Sequence, residues 1–369
     1  MNFLRRISLT KLLLLCGATA LIGVSATALA LALGSGPTPP AAPLAQAIHG
    51  ALAGARSSSI EGFSASVTLT DHLIEGSELA GAAGGQSGGG IASNPLLTGG
   101  SGRLWVSRNG RVRLELQAEK GDTELVYDGH TVTIYDASSN TVYRYTPSQQ
   151  EDGWTGASDS SEPKQREVPS VAKIEEAIAK FHKNAGLSGA TPTDVGGRAA
   201  YTVRVSPSES GSLIGGAELS FDAANGLPLR AAVYSSTTTA PVIELAAGEV
   251  SYGPVADSVF AISPPPGATV KELKLPAHSP KEPRHRDGSK PDVRSVGHGI
   301  TAVGVLSEKS SGKSADESES LPKVKINGVT ATELRTELGT ILTFERAGIR
   351  YVLAGPVEPS AVETVAKGL

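Results

Sequence analysis

The chain has 369 residues, 39% hydrophobic but only 4% aromatic, so any core must be aliphatic, and the length suffices for two domains. Its 33 basic residues against 37 acidic ones give a net charge of −4, which lacks the basic footprint of a nucleic-acid binder. A single cysteine excludes an internal disulfide and a thiolate metal cluster.

Residues 1–40 read as an export segment with a spacer. Arg5, Arg6 and Lys11 precede an apolar run from Leu12 to Leu33, the layout of a signal peptide. Ala28-Leu29-Ala30 and Ala30-Leu31-Ala32 are small-x-small cleavage sites. The run of about 22 residues spans a bilayer if it stays uncleaved, and its basic flank then stays cytoplasmic while the rest is exported. Both fates remain open. Cys16 follows Leu13-Leu14-Leu15 with no small residue beside it, so it reads as a buried membrane residue rather than a lipidation site. Gly34 to Pro43 is a proline-rich spacer.

Residues 41–276 are expected to form the first domain. Leu44, Ile48 and Leu52 repeat at helical spacing. Ser64 to Leu73 alternates Val67 and Leu69 with Ser66, Thr68 and Thr70, a strand pattern. Gly76 to Gly102, rich in Gly, Ser and Ala, reads as a loop. From Arg103 to Tyr145 apolar and polar residues alternate again. Val112, Leu114 and Leu116 point one way, and Arg111, Arg113 and Glu115 the other. Breaks at Asn109-Gly110, Gly121-Asp122, Asp128-Gly129 and Ser139-Asn140 are hairpin chemistry, so an antiparallel meander of about four strands is expected. Pro147 to Pro169, which carries Trp154, is a polar loop. Ser170 then caps a helix whose apolar stripe is Val171, Ile174, Ile178 and Phe181, stopped at Asn184 to Gly186. Strands follow at Ala200 to Val205, Glu218 to Asp222, Leu229 to Ser235, Val242 to Leu245 and Glu249 to Tyr252, with Asn225-Gly226 as a tight turn. About nine or ten strands and two helices imply a sheet large enough to curl. A helix across its concave face would enclose either a packed core or a cavity.

Several of these passages resemble the LolA-like superfamily, which includes the periplasmic lipoprotein carrier LolA and the sigma-factor regulator RseB. Val195-Gly196-Gly197-Arg198-Ala199-Ala200-Tyr201, then Val203, Val205 and Pro207, is similar to its "Gly-Arg-x-x-Tyr, alternating strand, Pro" passage. Phe221-Asp222 followed by Gly226-Leu227-Pro228-Leu229-Arg230 resembles its next hairpin. Gly102-Arg103-Leu104-Trp105 through Arg113 resembles its "Arg-x-Trp, turn, Arg-x-Arg" strands, and Phe260 with Pro264-Pro265-Pro266-Gly267-Ala268 its closing segment. The resemblance covers about residues 44 to 275. It implies an α+β fold: a curved, unclosed, barrel-like antiparallel sheet with a helical lid. It also implies that an acyl chain or lipoprotein is held between sheet and helices.

Residues 277–291 are charged and Pro-rich, a linker, and 292–369 are expected to form a small α+β domain. Ser295 to Leu306 is a strand candidate around Ile300, Val303 and Val305, and Ser307 to Ser320 a polar loop. Thr330 to Leu338 is a helix candidate with Leu334 and Leu338. Gly339 to Glu345 and Gly348 to Leu353 form a hairpin, and Pro359 to Leu369 a last helix with Val362 and Val365 inward. With Gly355-Pro356-Val357 before that helix, the unit resembles the C-terminal domain of RseB-like proteins. It has Gly299-Ile300 where family members often have Gly-Trp.

Catalytic patterns are incomplete. Gly85-Gln86-Ser87-Gly88-Gly89 has the spacing of a nucleophile elbow but no strand before it and no helix after it. Gly312-Lys313-Ser314 lacks the earlier glycine of a phosphate loop, Ser307 standing there. His278 and His285 share the linker without metal-ligand spacing. Asp71-His72 has no matching nucleophile, and His72 reads as a strand-end surface residue. Arg103, Arg111 and Arg113 are solvated charges or a docking patch for an acidic partner. No catalytic residue, metal or cofactor is therefore expected.

The site-like feature is apolar. Val67, Leu69, Leu104, Val106, Val112, Leu114 and Leu116 either form plain core or, with Val171, Ile174, Ile178 and Phe181, line a pocket. Each buried methylene contributes about 0.8 kcal/mol, so such a pocket needs no catalytic group to hold an acyl chain. The expected protein is a non-enzymatic, exported carrier of a lipid or lipoprotein acyl chain, membrane-anchored through residues 12–33 or secreted. The alternatives are an RseB-like module that binds an anti-sigma factor or other envelope protein, and a purely structural protein with a filled concavity.

Overall fold

The structure, a computed structural model, describes residues 36–74, 94–119, 121–146, 168–182, 185–273, 292–310 and 321–369. The alternation after residue 100 builds a meander of five strands rather than about four: β2 (Gly100–Ser107), β3 (Val112–Ala118), β4 (Gly121–Tyr127), β5 (Val132–Asp136) and β6 (Thr141–Tyr145). Its turns follow from side-chain chemistry. Gly110 sits at φ 81° and Asn140 at φ 45°, the left-handed region that Gly and Asn tolerate best. The Asp128 carboxylate accepts the N–H groups of His130 and Thr131, both at 2.8 Å. Gly121 already pairs with Ala118, so that reversal falls before the expected Gly121-Asp122.

Around the meander lie β1 (Gly62–Asp71), β7 (Ala185–Leu187), β8 (Thr191–Val195), β9 (Arg198–Pro207), β10 (Ile214–Asp222), β11 (Pro228–Ser235), β12 (Pro241–Tyr252) and β13 (Thr269–Glu272). They make one 13-stranded sheet in the order β13-β6-β5-β4-β3-β2-β1-β12-β11-β10-β9-β7, with β8 also on β9. The end strands β13 and β7 do not pair, so the curved sheet stays unclosed. It is antiparallel except that β13 runs parallel to β6. The two strands expected at 242–245 and 249–252 are one. Gly248 lets it run on past Ser66, whose Oγ would lie 2.6 Å from a Cβ there.

Helix α1 (Leu44–Ser57) covers β9 and β10 with two alanines and Ile48. Ala47 and Ala51 pack on Tyr201 and Phe221 with Ile48 of the expected stripe beside them; Leu44 is buried too, whereas Leu52 is 42% exposed. Small residues let the helix come close. A Cβ on Gly54 would lie 1.8 Å from the Ala224 carbonyl in the β10–β11 turn. The expected loop through Gly102 ends earlier. The Asn94 side chain accepts the Leu96 N–H at 2.9 Å and caps a single helical turn, α2 (Pro95–Thr98), before β2 begins. Helix α3 (Val171–Phe181) is capped by Ser170, whose Oγ accepts the Lys173 N–H. It packs on α1 and β7.

A second sheet holds six strands in the order β14-β15-β19-β18-β17-β16. They are β14 (Asp292–Val296), β15 (Val303–Lys309), β16 (Lys323–Ile326), β17 (Val329–Thr336), β18 (Gly339–Arg346) and β19 (Ile349–Gly355). Helix α4 (Pro359–Lys367) closes one face with Val362, fully buried, in a cluster with Leu342 and Leu353. The expected helix at Thr330 to Leu338 is instead β17. Its β-branched threonines suit a strand, and pairing with β16 and β18 on both sides overrides the 3.6-residue reading. The strand expected around Ile300 is a hairpin, β14–β15, with Ile300 in a single 3-10 turn between them. The two sheets touch where the Leu213 N–H donates to the Pro356 carbonyl at 2.8 Å and the Glu337 N–H to the Leu73 carbonyl at 3.2 Å. The apolar run at 12–33 with Cys16, Trp154, the linker at 277–291, His278 and His285, and the motifs at 85–89 and 312–314 lie outside the described residues.

Candidate functional site

The large sheet has two unlike faces. On one, charges from β9 to β12 close on each other. Arg230 donates to Glu218 at 2.9 Å and to Glu244 at 3.0 and 3.1 Å. Tyr234 donates to Glu218 at 2.7 Å, and Arg204 to the same carboxylate at 3.2 Å. Burial works against the Glu218 charge, but these hydrogen bonds outweigh it and hold its carboxyl below the usual range. The Gly-Arg-x-x-Tyr passage builds a second cluster. Gly196 and Gly197, at φ 59° and 74°, turn the chain from β8 into β9. Arg198 then reaches Asp222 at 3.0 Å and lies 4.7 Å over the Tyr252 ring, while the Tyr252 hydroxyl donates to Asp222 at 2.7 Å. Such paired networks leave no open acid, base or nucleophile. Among the described residues, no group of three His, Cys, Asp or Glu side chains could hold a metal ion.

The opposite face is apolar. The seven strand residues Val67, Leu69, Leu104, Val106, Val112, Leu114 and Leu116 come together in one cluster with Phe63, Ala65, Leu245 and Ala247. Leu96 of α2 packs against it. Five of the seven are at most 5% exposed, with Val106 and Val112 half-buried. The four helix residues do not join that cluster. Ile174 is buried, Val171 and Ile178 are half-buried and Phe181 is 38% exposed, on a helix that packs on α1 and β7.

Between the region under α2 and the region under α1 runs an apolar strip on β9 to β12. Register places Val203, Leu219, Ala231, Leu245 and Leu69 side by side, one per strand. The neighbouring row is Val205, Ala217, Val233, Ile243 and Asp71. Leu219 lies mid-sheet and is 39% exposed, and Val203, Val205, Val233 and Ile243 are all half-buried. Ala231, Leu245 and Leu69 are buried, so the open part of the strip is Leu219 with the half-buried second row, and mid-sheet aliphatics are usually covered.

Asp71 ends the second row. Alternation along β1 puts it on the face of Val67 and Leu69, and it pairs with Ile243. Its Oδ1 accepts the Leu73 N–H at 2.7 Å. Burial pushes its carboxyl from the ordinary 3.8 up to about 6, against the Leu73 N–H and His72, which hold it down. His72 is half-buried rather than the expected surface residue. The sequence pointed to Asp71 only as a catalytic partner of His72 and did not mark Leu219. The available signal was a carboxylate at the next inward position after Val67 and Leu69.

A separate cleft of about 370 Å³ opens at the junction of the sheets, lined by Pro207, residues 209–215, Ser236 and Glu358. None of its lining residues belongs to the apolar cluster.

A family described as "Predicted periplasmic protein (DUF2092)" matches residues 92–153, which include the β2–β6 meander. A comparison with curated proteins finds no match. Among solved structures, the Pseudomonas aeruginosa MucA/MucB complex is similar at 15% identity and a TM-score of 0.38, over 88% of this chain and 94% of that one. A LolA superfamily protein from Nitrosomonas europaea is similar at 10% identity and a TM-score of 0.20, over 85% of this chain and 91% of that one.

Proposed function

We propose that this chain is a non-enzymatic, extracytoplasmic carrier that holds the acyl chain of a lipid or lipoprotein on the apolar face of its large sheet. The observation that carries the reading is the strip around Leu219, open in mid-sheet between two covered regions. Covering such surface contributes about 25 cal/mol per Å², so an acyl chain laid along it binds by transfer from water alone. The residues under α2 are covered core beside the strip, and Ile178 and Phe181 are its flank beyond α1. The domain at 41–276 does the binding, and the domain at 292–369 is joined to it by the linker at 277–291. The basic-then-apolar start and the match of 92–153 to a periplasmic family support a place outside the cytoplasm. Residues 12–33 serve as a membrane anchor or a cleaved signal. Among the described residues, no helix is long and apolar enough to cross a membrane.

A second reading, a regulatory module that binds an envelope protein, is favoured by β14. All five of its residues are exposed at the edge of the second sheet, Val293 at 45% and Val296 at 37%, which suits addition of a partner strand. Mass spectrometry of an organic extract of the full chain, purified from its native host, separates the two. A stoichiometric lipid or acylated peptide is expected. A clean blank, with a protein copurifying instead, overturns the carrier reading in favour of the regulatory one.

A further inference from the structure

The carboxylate at the end of the apolar strip has no role in a carrier that merely holds hydrocarbon. The row Val205–Ala217–Val233–Ile243–Asp71 crosses five neighbouring strands, a span of about 19 Å at the usual strand spacing. That is the reach of one long acyl chain. At its Asp71 end the row stops being apolar, and the change of chemistry marks where the polar end of an amphiphile would lie.

We propose that Asp71 selects the ligand's headgroup: the carrier takes an acyl chain whose polar end is cationic, an ammonium group that pairs with the Asp71 carboxylate while the chain lies along the strip. This rests on the carrier reading above and names its substrate class. Burial raises the free energy of the ionised carboxylate, and an ammonium ion beside it compensates that loss, whereas a second anion would add to it. The charges around Asp71 fit the assignment. Next to Ile243 on β12, Glu244 faces the opposite side of the sheet and is already engaged by Arg230. His72 follows Asp71 in the chain, and Glu337 of the second sheet approaches through its backbone N–H on the Leu73 carbonyl. Of these, His72 bears on the Asp71 carboxylate as a positive charge, and burial outweighs it. The Leu73 N–H holds the carboxylate by one oxygen, Oδ1, which sets its orientation.

The test is competition on the full-length chain at about pH 8, where Asp71 is ionised. Dodecylammonium and dodecanoate compete for bound N-phenyl-1-naphthylamine, a neutral fluorescent probe. Wild type is expected to bind dodecylammonium at least about tenfold more tightly than dodecanoate. Asp71→Asn keeps an oxygen for the Leu73 N–H and should reduce that preference to less than about threefold, chiefly by weakening dodecylammonium. Asp71→Ser, which can also accept that N–H, should do the same, and thermal melting confirms that both variants are folded. Equal binding of the two amphiphiles by wild type, or an undiminished preference in both variants, overturns the headgroup assignment and leaves the carrier reading standing. Displacement of the probe by neither amphiphile overturns both.

Discussion

Leu219→Ala separates an open binding strip from ordinary core. Leu219 is 39% exposed, with Val203 and Ala231 as its cross-strand neighbours. Truncating a fully buried leucine costs about 2–5 kcal/mol, of which a large part is the cavity left behind. Here two fifths of the residue already meets solvent and no closed cavity forms, so the fold should lose only about 1 kcal/mol. In the loaded protein the acyl chain covers the exposed part. Losing that contact should remove about another 0.5–1 kcal/mol from binding, a weakening of about two- to fivefold. Leu116→Ala is the control. That residue is 1% exposed in the cluster beneath α2, so it should cost about 2–5 kcal/mol of stability while leaving the affinity of the folded fraction nearly unchanged. Urea unfolding reads the first quantity and displacement of N-phenyl-1-naphthylamine the second. If Leu116→Ala weakens binding by the folded protein and Leu219→Ala does not, the strip is not the site.

Two further outcomes follow from the charges. Asp71 has a folded value of about 6 against an ordinary 3.8, so the folded chain holds its proton more tightly than the unfolded one. Its effect on stability is therefore most favourable below 3.8 and is lost as pH rises through about 6. Asp71→Asn should be more stable than wild type in thermal melts near neutral pH, with the gap closing toward pH 4; a constant gap would contradict the burial argument. Arg230→Ala leaves Glu244, 3% exposed, and Glu218 without their shared cation, and should cost about 3 kcal/mol or more in urea unfolding. A loss below about 1 kcal/mol, the size expected for an exposed ion pair, would show that the network is solvated.

Much of the large sheet was legible because strand signals are local. The alternation around Leu114 and Leu116, the turns at Gly110 and Asn140 and the Ser170 cap all reappear in the structure. Short strands escaped for the same reason. Residues 185–187 and 191–195 carry too few alternations to show a period, and they exist because β9 offers an edge to pair with. The segment at 329–336 failed in the opposite way. Leu334 and Leu338 have helical spacing, yet two flanking strands satisfy its backbone as a ladder. On α1 the expected stripe faces inward at Leu44 and Ile48 but not at Leu52, and close approach to the β10–β11 turn adds Ala47, Ala51 and Gly54 to the inner face.

The site divides along the same line. Period-two patterning determined which residues share the dry face, so the cluster from Val67 to Leu116 was readable one strand at a time. Which part of that face stays open was decided by tertiary structure. The register that lines Leu219 up with Val203 and Ala231, the placing of α1 over Tyr201 and Phe221 and of α2 over β1, β3 and β4, and the pairing of Asp71 with Ile243 all join residues far apart in the chain. Hydrophobic period is a property of a few successive residues. Coverage, and the desolvation that raises Asp71, depend on which distant segments come to lie alongside.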